Sequence, residues 1–180
     1  MSGKISPKQP FVISMYGFPG SGKTAFARQM SEELGIIHLQ EDRILHELFG
    51  GNITPATKKA SRKVMNFILG DYLKAGMSVM YDGSVIRSSE RRRVREITHQ
   101  YRATHLMVWL QVDPETCFER TRKRDHRKAD DKYAPDYTED DFREILSLMQ
   151  NPNMEDYIVV SGKHTFNTQR SAVVKRLMDM

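Results

Sequence analysis

The sequence predicts an α/β fold in which a parallel, five-stranded sheet is covered by helices on both faces. Three observations lead to this prediction. Five short apolar segments alternate with helical stretches, glycine and proline separate many of them, and the 180-residue length suits one hydrophobic core. We therefore expect a single domain over residues 11–180, preceded by a polar, disordered leader over residues 1–10.

The predicted strands are short runs of aliphatic and aromatic residues, the pattern of strands buried on both faces of a sheet. They cover residues 11–16, 36–39, 78–83, 104–112 and 157–160. The fourth of these is the clearest buried strand in the chain, since apolar side chains dominate nearly its whole length.

Seven helices are predicted around these strands. They cover residues 23–34, 42–49, 54–75, 88–101, 114–124, 138–150 and 168–180. Two of them begin at a capping residue followed by proline, Thr54-Pro55 and Asp113-Pro114, a pairing that is typical of helix starts. Gly35 and Gly76 each follow the last residue of a helix and are expected to end it.

The loop after the first strand matches the pattern G-x-x-x-x-G-K-[ST] without a mismatch. Glycines let successive backbone N–H groups surround phosphate oxygens, and the following helix points its positive end at the anion. The lysine brings a positive charge to the β- and γ-phosphates, and the threonine hydroxyl is placed for Mg²⁺. We predict that ATP contacts Gly17, Pro19, Gly20, Ser21, Gly22, Lys23 and Thr24.

Composition excludes several classes of protein. A single cysteine, Cys117, excludes an intrachain disulfide framework and a cysteine zinc cluster, and it fits a reducing, cytoplasmic location. No apolar run reaches the length of a membrane span, so no membrane partner is expected. The guanine-reading motif Asn-Lys-x-Asp is absent, and the short chain fits a kinase that phosphorylates a small acceptor or a chain end.

Two aspartates follow predicted strands and are expected at the carboxyl edge of the sheet, where ligands bind in such folds. Asp42 is placed to accept the proton of an acceptor hydroxyl, with an N-cap role as the alternative and Glu41 as a local competitor. Asp82 is placed to hold Mg²⁺ or the acceptor, with a simple turn residue as the alternative. Mg²⁺ is therefore expected between Thr24 and Asp82.

An arginine-rich stretch follows the fourth strand and its helix, and we predict a lid over about residues 120–138. Arginines on a lid neutralise the charge that phosphoryl transfer spreads over the equatorial oxygens. Helical spacing puts Arg120 and Arg124 on one face, so these two are the predicted catalytic arginines alongside Lys23 and Asp42. Arg122 and Lys123 fit a solvated helix end.

A second basic group lies on and around the helix after the third strand. It consists of Arg87, Arg91, Arg92, Arg93, Arg95 and Arg102. This group is either a track for an anionic acceptor such as a nucleic acid or a solvated helix face. No aromatic residues interleave with these arginines to stack bases, so nucleic acid is not the favoured partner.

With these residues in place, the chain resembles the polynucleotide-kinase-like, AAA-type family of small P-loop kinases over roughly residues 11–162. The resemblance rests on the phosphate motif, on Asp42, on Tyr81-Asp82-Gly83-Ser84 with Glu90-Arg91-Arg92, and on the stretches 108–114 and 119–125. It implies a sheet in the order 2-3-1-4-5 and a lid after the fourth strand's helix. It also implies Lys23, Thr24 and Arg124 at ATP, and Asp42 as the base.

The resemblance further implies that the loop after the last strand, which includes Gly162 and Lys163, lies beside adenine. Two departures concern the acceptor side alone. Leu45 stands where polynucleotide kinase has a phosphate-binding arginine, and Val85 stands where the family usually has an asparagine.

The predicted function is an ATP- and Mg²⁺-dependent phosphotransferase that acts on a hydroxyl of a small-molecule or nucleotide acceptor. A polynucleotide 5′-hydroxyl kinase is the alternative enzyme. An ATP-binding switch or partner-binding module with little catalysis is the alternative of another class. No motif specifies the acceptor or the oligomeric state.

Overall fold

Strands and helices alternate along the part of the chain that this computed structural model describes, residues 9–153 and 155–180. The strands are β1 (Phe11–Tyr16), β2 (Ile37–Gln40), β3 (Val79–Asp82), β4 (Thr104–Gln111) and β5 (Tyr157–Ser161). The helices are α1 (Lys23–Leu34), α2 (Glu41–Phe49), α3 (Pro55–Lys74), α4 (Ser88–Gln100), α5 (Pro114–Arg122), α6 (Glu139–Leu148) and α7 (Phe166–Met178). Residues 1–8 of the predicted leader lie outside the described residues.

The five strands form one parallel sheet in the order β2-β3-β1-β4-β5. The central strand β1 pairs Ser14 with Tyr81 on one side and Met15 with Val108 on the other. Both the α/β fold class and the strand order are thus confirmed. Because all the strands run the same way, the loops that follow them meet at one edge of the sheet, where the predicted site residues are.

Each face of the sheet has its own apolar core. One face packs against α1 and α7, and its buried residues include Ile13, Met15, Phe26, Met30, Leu106 and Val173. The other face packs against α3 and α4, and its buried residues include Val12, Tyr81, Met65, Leu69, Val94 and Met107. Burial on both faces explains why the strands are continuous apolar runs rather than alternating ones.

A third, smaller cluster lies beyond the end of β4. Val112, Cys117 and Phe142 are buried there, and Phe18 of the phosphate loop packs against them. This cluster attaches α5 and α6, which flank the predicted lid, to the loop that follows β1. Within residues 9–153 and 155–180, no helix is long and apolar enough to cross a membrane.

The helix before the predicted lid is shorter than expected. It ends at Arg122 instead of Arg124, and the backbone of Lys123 donates to the carbonyl of Arg120 as a cap. The following residues form turns, in which Lys128 donates to the carbonyl of Asp125. The prediction that helical spacing aligns Arg120 with Arg124 is therefore wrong, because a charged stretch without an apolar period has no face to bury and leaves the helix.

Candidate active site

The phosphate loop follows β1 and depends on the conformational freedom of glycine. Gly17, Gly20 and Gly22 have positive φ angles of 143°, 83° and 99°. A Cβ on Gly17 would lie 2.6 Å from the carbonyl oxygen of Leu110, closer than real side chains come. The backbone N–H of Ser21 donates to the carbonyl of Phe18 over 3.1 Å and closes the turn that leads into α1.

Lys23 lies at the start of α1 and its side chain folds back over the loop. Its Nζ donates to the carbonyl oxygens of Gly17 at 2.9 Å and Phe18 at 2.7 Å. Burial lowers the pKa of this amine to about 8, and the negative charges of Asp82 and Asp42 act in the opposite direction. The amine therefore sits where phosphate oxygens would compete with the two carbonyls.

Asp42 is the second residue of α2 and stands at the carboxyl edge of the sheet. Gln40 occupies the N-cap position, and α2 has no side-chain cap bond, so the alternative N-cap role is wrong. The pKa of Asp42 is raised to about 7, mainly by burial and also by the charges of Asp82 and Glu41. The positive charges of Arg124 and Lys23 oppose this rise in the pKa.

Asp82 ends β3 and is 7% exposed. Its Oδ2 lies 3.1 Å from Nε2 of His38, which comes from the neighbouring strand β2. Sequence reasoning did not single out His38, because its contact depends on the β2–β3 register, which pairs Gln40 with Asp82. A hydrogen bond from the imidazole fixes one oxygen of Asp82 and leaves the other oxygen for another partner.

Thr24 and Asp82 supply the oxygen donors that were predicted for Mg²⁺. No group of three or more His, Cys, Asp or Glu side chains suited to a metal ion occurs in residues 9–153 and 155–180. Mg²⁺ usually takes only one or two protein ligands and keeps waters and substrate phosphates for the rest. One hydroxyl and one carboxylate beside a phosphate loop therefore fit a Mg²⁺ that arrives with a nucleotide.

An ion-pair network that we name the acceptor wall, Glu41, Arg62 and Glu90, lies next to Asp42. The Nε of Arg62 donates to Glu41 over 3.2 Å, and the same guanidinium pairs with Glu90. The backbone N–H of Ser84 donates to the other oxygen of Glu41 at 2.6 Å. Burial raises the pKa of Glu41, which is the local competitor named above. Both carboxylate oxygens of Glu41 accept hydrogen bonds in this structure, so Glu41 is a member of the ion-pair network and not a free base.

Arg124 lies inside the predicted lid of about residues 120–138, of which residues 123–138 connect α5 and α6. Its guanidinium donates to the carbonyl of Pro135, lies 3.9 Å from Asp131 and stands 5.5 Å from the ring centre of Tyr137. Burial raises the pKa of the Tyr137 hydroxyl, and the charge of Asp42 adds to the effect. Tyr137 is a further cleft residue that the sequence did not reveal.

The outer part of the lid contacts two helices across the cleft. Asp130 pairs with Arg28 of α1, with Oδ1 2.6 Å from the Nε and Oδ2 3.3 Å from Nη2. The ring of Tyr133 meets His46 of α2 edge-on, with centroids 5.3 Å apart. Residues 123–138 therefore contact both α1 and α2 in this structure.

Arg120 is exposed and lies beside the phosphate loop, with Nη1 3.5 Å from the carbonyl oxygen of Gly20. The neighbouring Arg122 and Lys123 are exposed and pair with Glu119, as expected for a solvated helix end. The structure thus brings Arg120 and Arg124 to the site by different routes, one from a helix and one from a loop.

The loop after β5 packs directly on the phosphate loop. The backbone N–H of Gly162 donates to the carbonyl of Gln111 over 3.0 Å, and a Cβ at Gly162 would lie 2.8 Å from the carbonyl oxygen of Ser21. Lys163 pairs with Asp113 over 2.6 Å. This pairing holds the pKa of Asp113, the N-cap residue of α5, below its usual range.

The arginines of α4 have separate tasks. Arg91 is buried, pairs with Glu155 over 2.9 Å, and donates to the carbonyls of Val85 and Ile86 at 3.1 Å. By contrast, Arg92 and Arg93 pair with Glu96 on the surface. Arg91 is therefore a buried clamp, whereas Arg92 and Arg93 lie on an exposed helix face.

Residues 12–149 match the sequence pattern of a protein family described as AAA domain. A shikimate kinase from Paracidovorax citrulli is 28% identical over 118 residues, which are 61% of this chain and 61% of that protein. The chain thus spans less than two thirds of the length of this relative.

Solved structures share the fold over almost the whole chain. A putative kinase from Chloroflexus aurantiacus superposes with a TM-score of 0.75 at 16% identity, covering 96% of this chain and 99% of that one. The Mycobacterium tuberculosis APS kinase CysC in complex with AMPPNP and APS gives a TM-score of 0.69 at 18% identity, covering 96% and 99%. At these identities the likeness shows the fold alone.

Proposed function

The chain belongs to the AAA domain family, and from that premise we propose that it is an ATP- and Mg²⁺-dependent kinase acting on a hydroxyl of a small-molecule or nucleotide acceptor. The family match agrees with the resemblance to small P-loop kinases. One observation carries the proposal. The phosphate loop lies between β1 and α1 with Lys23 folded over its carbonyls, and β2 and β3 end side by side, which brings Asp42 and Asp82 to the same edge of the sheet.

ATP binding is assigned to the phosphate loop. Its backbone N–H groups and the positive end of α1 would hold the phosphates, and Lys23 would exchange its two carbonyl partners for β- and γ-phosphate oxygens. The loop with Gly162 and Lys163 packs against this one and would lie beside the base. Together these residues bind the nucleotide and fix the direction of its γ-phosphate.

Asp42 is proposed as the general base for the acceptor hydroxyl. Its pKa of about 7 suits this task, because a base titrating near the working pH combines the correct protonation state with adequate strength. Thr24 and Asp82 would hold Mg²⁺, which when bound supplies positive charge to the β- and γ-phosphate oxygens. His38 keeps the Asp82 carboxylate in one orientation through its 3.1 Å contact.

Arg120 and Arg124 are proposed to neutralise the transferred phosphoryl group. Arg120 lies at the phosphate loop through Gly20, and Arg124 reaches the cleft with its charge lowering the pKa of Asp42. Closure of the lid also excludes water, so that the hydroxyl of the acceptor competes well against hydrolysis.

Replacing Asp42 tests the proposal. We expect Asp42→Asn to bind ATP like the wild type and to lose roughly 10²–10⁴-fold in transfer rate, because the base is absent. In the wild type, transfer should rise with pH through about 7, the pKa of Asp42, since only the ionised carboxylate accepts a proton. Transfer of label from γ-labelled ATP is measured with shikimate, D-gluconate, sorbitol, adenosine and a 5′-hydroxyl oligonucleotide as acceptors. ATP affinity is measured by calorimetry.

Two companion variants make the result specific. Lys23→Ala should lose both ATP affinity and transfer, whereas Asp156→Asn changes a largely exposed carboxylate and should change neither. Transfer by Asp42→Asn at the wild-type rate would show that Asp42 is not the base.

The same assay separates the alternatives. Transfer to the oligonucleotide alone would identify a polynucleotide 5′-hydroxyl kinase. Slow hydrolysis without any acceptor preference, combined with a nucleotide-dependent change in hydrogen exchange of the lid, would identify an ATP-binding switch.

A further inference from the structure

The acceptor wall and Asp42 together carry more negative than positive charge. The acceptor wall contributes two carboxylates, Glu41 and Glu90, and one guanidinium, Arg62. Asp42 adds a third carboxylate at the point where the acceptor hydroxyl would react. The buried position of Glu41 and the partial burial of Glu90 keep solvent from screening these charges fully.

The positive charge of Arg62 is already engaged. Its Nε and Nη1 donate to Glu41 and Glu90, from two different helices. The two glutamates have further fixed partners, the N–H of Ser84 at 2.6 Å and the N–H of Arg87 at 2.9 Å. The wall is thus a preorganised network that would have to break an internal pair to give its guanidinium to an acid.

The cations whose charges lower the pKa of Asp42 belong to the ATP side. Lys23 lies in the phosphate loop and Arg124 in the lid, and these are the two positive charges that most affect the pKa of Asp42. One turn beyond Asp42, the buried and apolar Leu45 adds no charge. Lys58 and Arg87 are exposed at the rim, and the charge of Lys58 lowers the pKa of Asp141 on α6.

We infer that the acceptor is an alcohol without an anionic group, uncharged or amine-bearing, and this inference rests on the proposed kinase function. An acid acceptor would bring another negative charge beside three carboxylates, and like charges in such contact oppose binding. Hydroxyl and ammonium groups bring no negative charge, so the same wall does not repel them. The raised pKa of Asp42, to which Asp82 and Glu41 contribute, agrees with an excess of negative charge at this point.

Acceptors that share one carbon skeleton test the inference directly. D-gluconate, sorbitol and 1-amino-1-deoxysorbitol differ at C1, which is a carboxylate, a hydroxymethyl group or an aminomethyl group. Shikimate with its methyl ester, and adenosine 5′-monophosphate with adenosine, form two further series. In every series in which a member is phosphorylated, we expect kcat/KM for the uncharged or cationic member to exceed that of the acid at least about tenfold.

A charge-neutralising variant links this preference to the wall. Glu90→Gln removes one negative charge and retains an amide oxygen for the N–H of Arg87 or for Arg62. We expect Glu90→Gln to reduce the ratio of kcat/KM for the uncharged or cationic acceptor to kcat/KM for the acid by about threefold to tenfold. Glu96→Gln is the matched control on the same helix, because Glu96 is exposed and pairs only with surface arginines among the described contacts.

Each outcome decides a separate question. Preferential transfer to the acids would overturn the inference while leaving the kinase proposal intact. Transfer to no member of any series, by protein that binds ATP in calorimetry, would contradict the proposed function and the inference with it. Equal changes in preference for Glu90→Gln and Glu96→Gln would show that the acceptor wall does not select the acceptor.

Discussion

The two halves of the cleft are built in different ways. The nucleotide half consists of consecutive residues, from Gly17 to Thr24, whose backbone N–H groups and positive φ angles make the site. The proposed acceptor half consists of Glu41, Arg62 and Glu90, which come from three helices and meet through one guanidinium. The first half depends on local backbone geometry, and the second depends on tertiary contacts that hold charged side chains in place.

The two halves are therefore sensitive to different kinds of substitution. A nucleotide loop fails when a side chain occupies the space that phosphate or neighbouring backbone needs. An acceptor half made of ion pairs fails when a distant clamp releases the elements that carry it. Ser84, which donates to Glu41, lies just before two residues whose carbonyls Arg91 holds, so the acceptor half depends on that buried arginine.

The largest effect on stability is expected from Arg91→Met. Arg91 is 2% exposed, and its removal leaves Glu155 as a buried, less compensated charge and frees the carbonyls of Val85 and Ile86. Breaking one partner of a buried pair costs about 3–5 kcal/mol in the free energy of unfolding. Denaturant unfolding measures this loss, and transfer at a temperature where the variant is still folded shows whether the acceptor half is disturbed first.

The control for this prediction is Arg92→Met, one residue along the same helix. Arg92 is exposed and pairs only with Glu96 in the described contacts, at 3.8 Å, so its replacement should change the free energy of unfolding by less than about 0.5 kcal/mol. Equal losses for the two variants would mean that the clamp does not support the fold.

An intermediate effect is expected in the nucleotide half from Gly17→Ala. The residue has φ 143°, and an added Cβ would approach the carbonyl oxygen of Leu110 to 2.6 Å. Backbone strain of this kind costs about 1–3 kcal/mol, and the loop can relieve it only by moving N–H groups away from the phosphates. We expect a weaker ATP affinity in calorimetry, with the loss of stability in the same range.

Gly35→Ala separates backbone strain from crowding. Gly35 also has a positive φ, 65°, but an added Cβ there meets nothing within 4 Å. It ends α1 far along the chain from the loop, so its variant should lose a little stability and keep the wild-type affinity for ATP. A similar loss of ATP affinity in both variants would contradict the close-approach argument.

The same contrast explains what the sequence could predict. The strands, the helix starts and the phosphate loop follow from neighbouring residues, which is why Lys23 and Asp42 could be proposed as site residues from the sequence. Arg62 and Glu90 are 28 residues apart, and no spacing marks them as partners. His38 reaches Asp82 only through the register of two parallel strands, which a sequence pattern does not contain.

The arginines show how composition misleads about location. The basic group on α4 was compatible with either a track for an anionic acceptor or a solvated helix face. Ion pairs with Glu96 and Glu155 account for four of its members, Arg91, Arg92, Arg93 and Arg95. Helical spacing predicted Arg124 on the same helix face as Arg120. In the structure, Arg124 lies on the loop after α5 and contacts Pro135 and Tyr137. The partners of a charged side chain depend on the tertiary fold. A dense run of arginines therefore predicts positive charge but does not predict the role of each arginine.

The smallest effect on stability is expected at the contact between Asp130 of the lid and Arg28 of α1. Both side chains are about a third exposed, 32% and 35%, so the pair should add at most about 1 kcal/mol to stability despite its two short contacts. Asp130→Asn should therefore leave the midpoint of denaturant unfolding nearly unchanged. It should increase hydrogen exchange of the lid, residues 123–138, since one of the contacts that hold the lid across the cleft is weakened.

Asp136→Asn is the matched control within the lid, because the highly exposed Asp136 pairs with His126 of the lid itself and not with a helix across the cleft. Unchanged exchange in Asp130→Asn would mean that the ring contact of Tyr133 with His46 suffices to keep the lid on the cleft, and that the two halves are joined from the acceptor side.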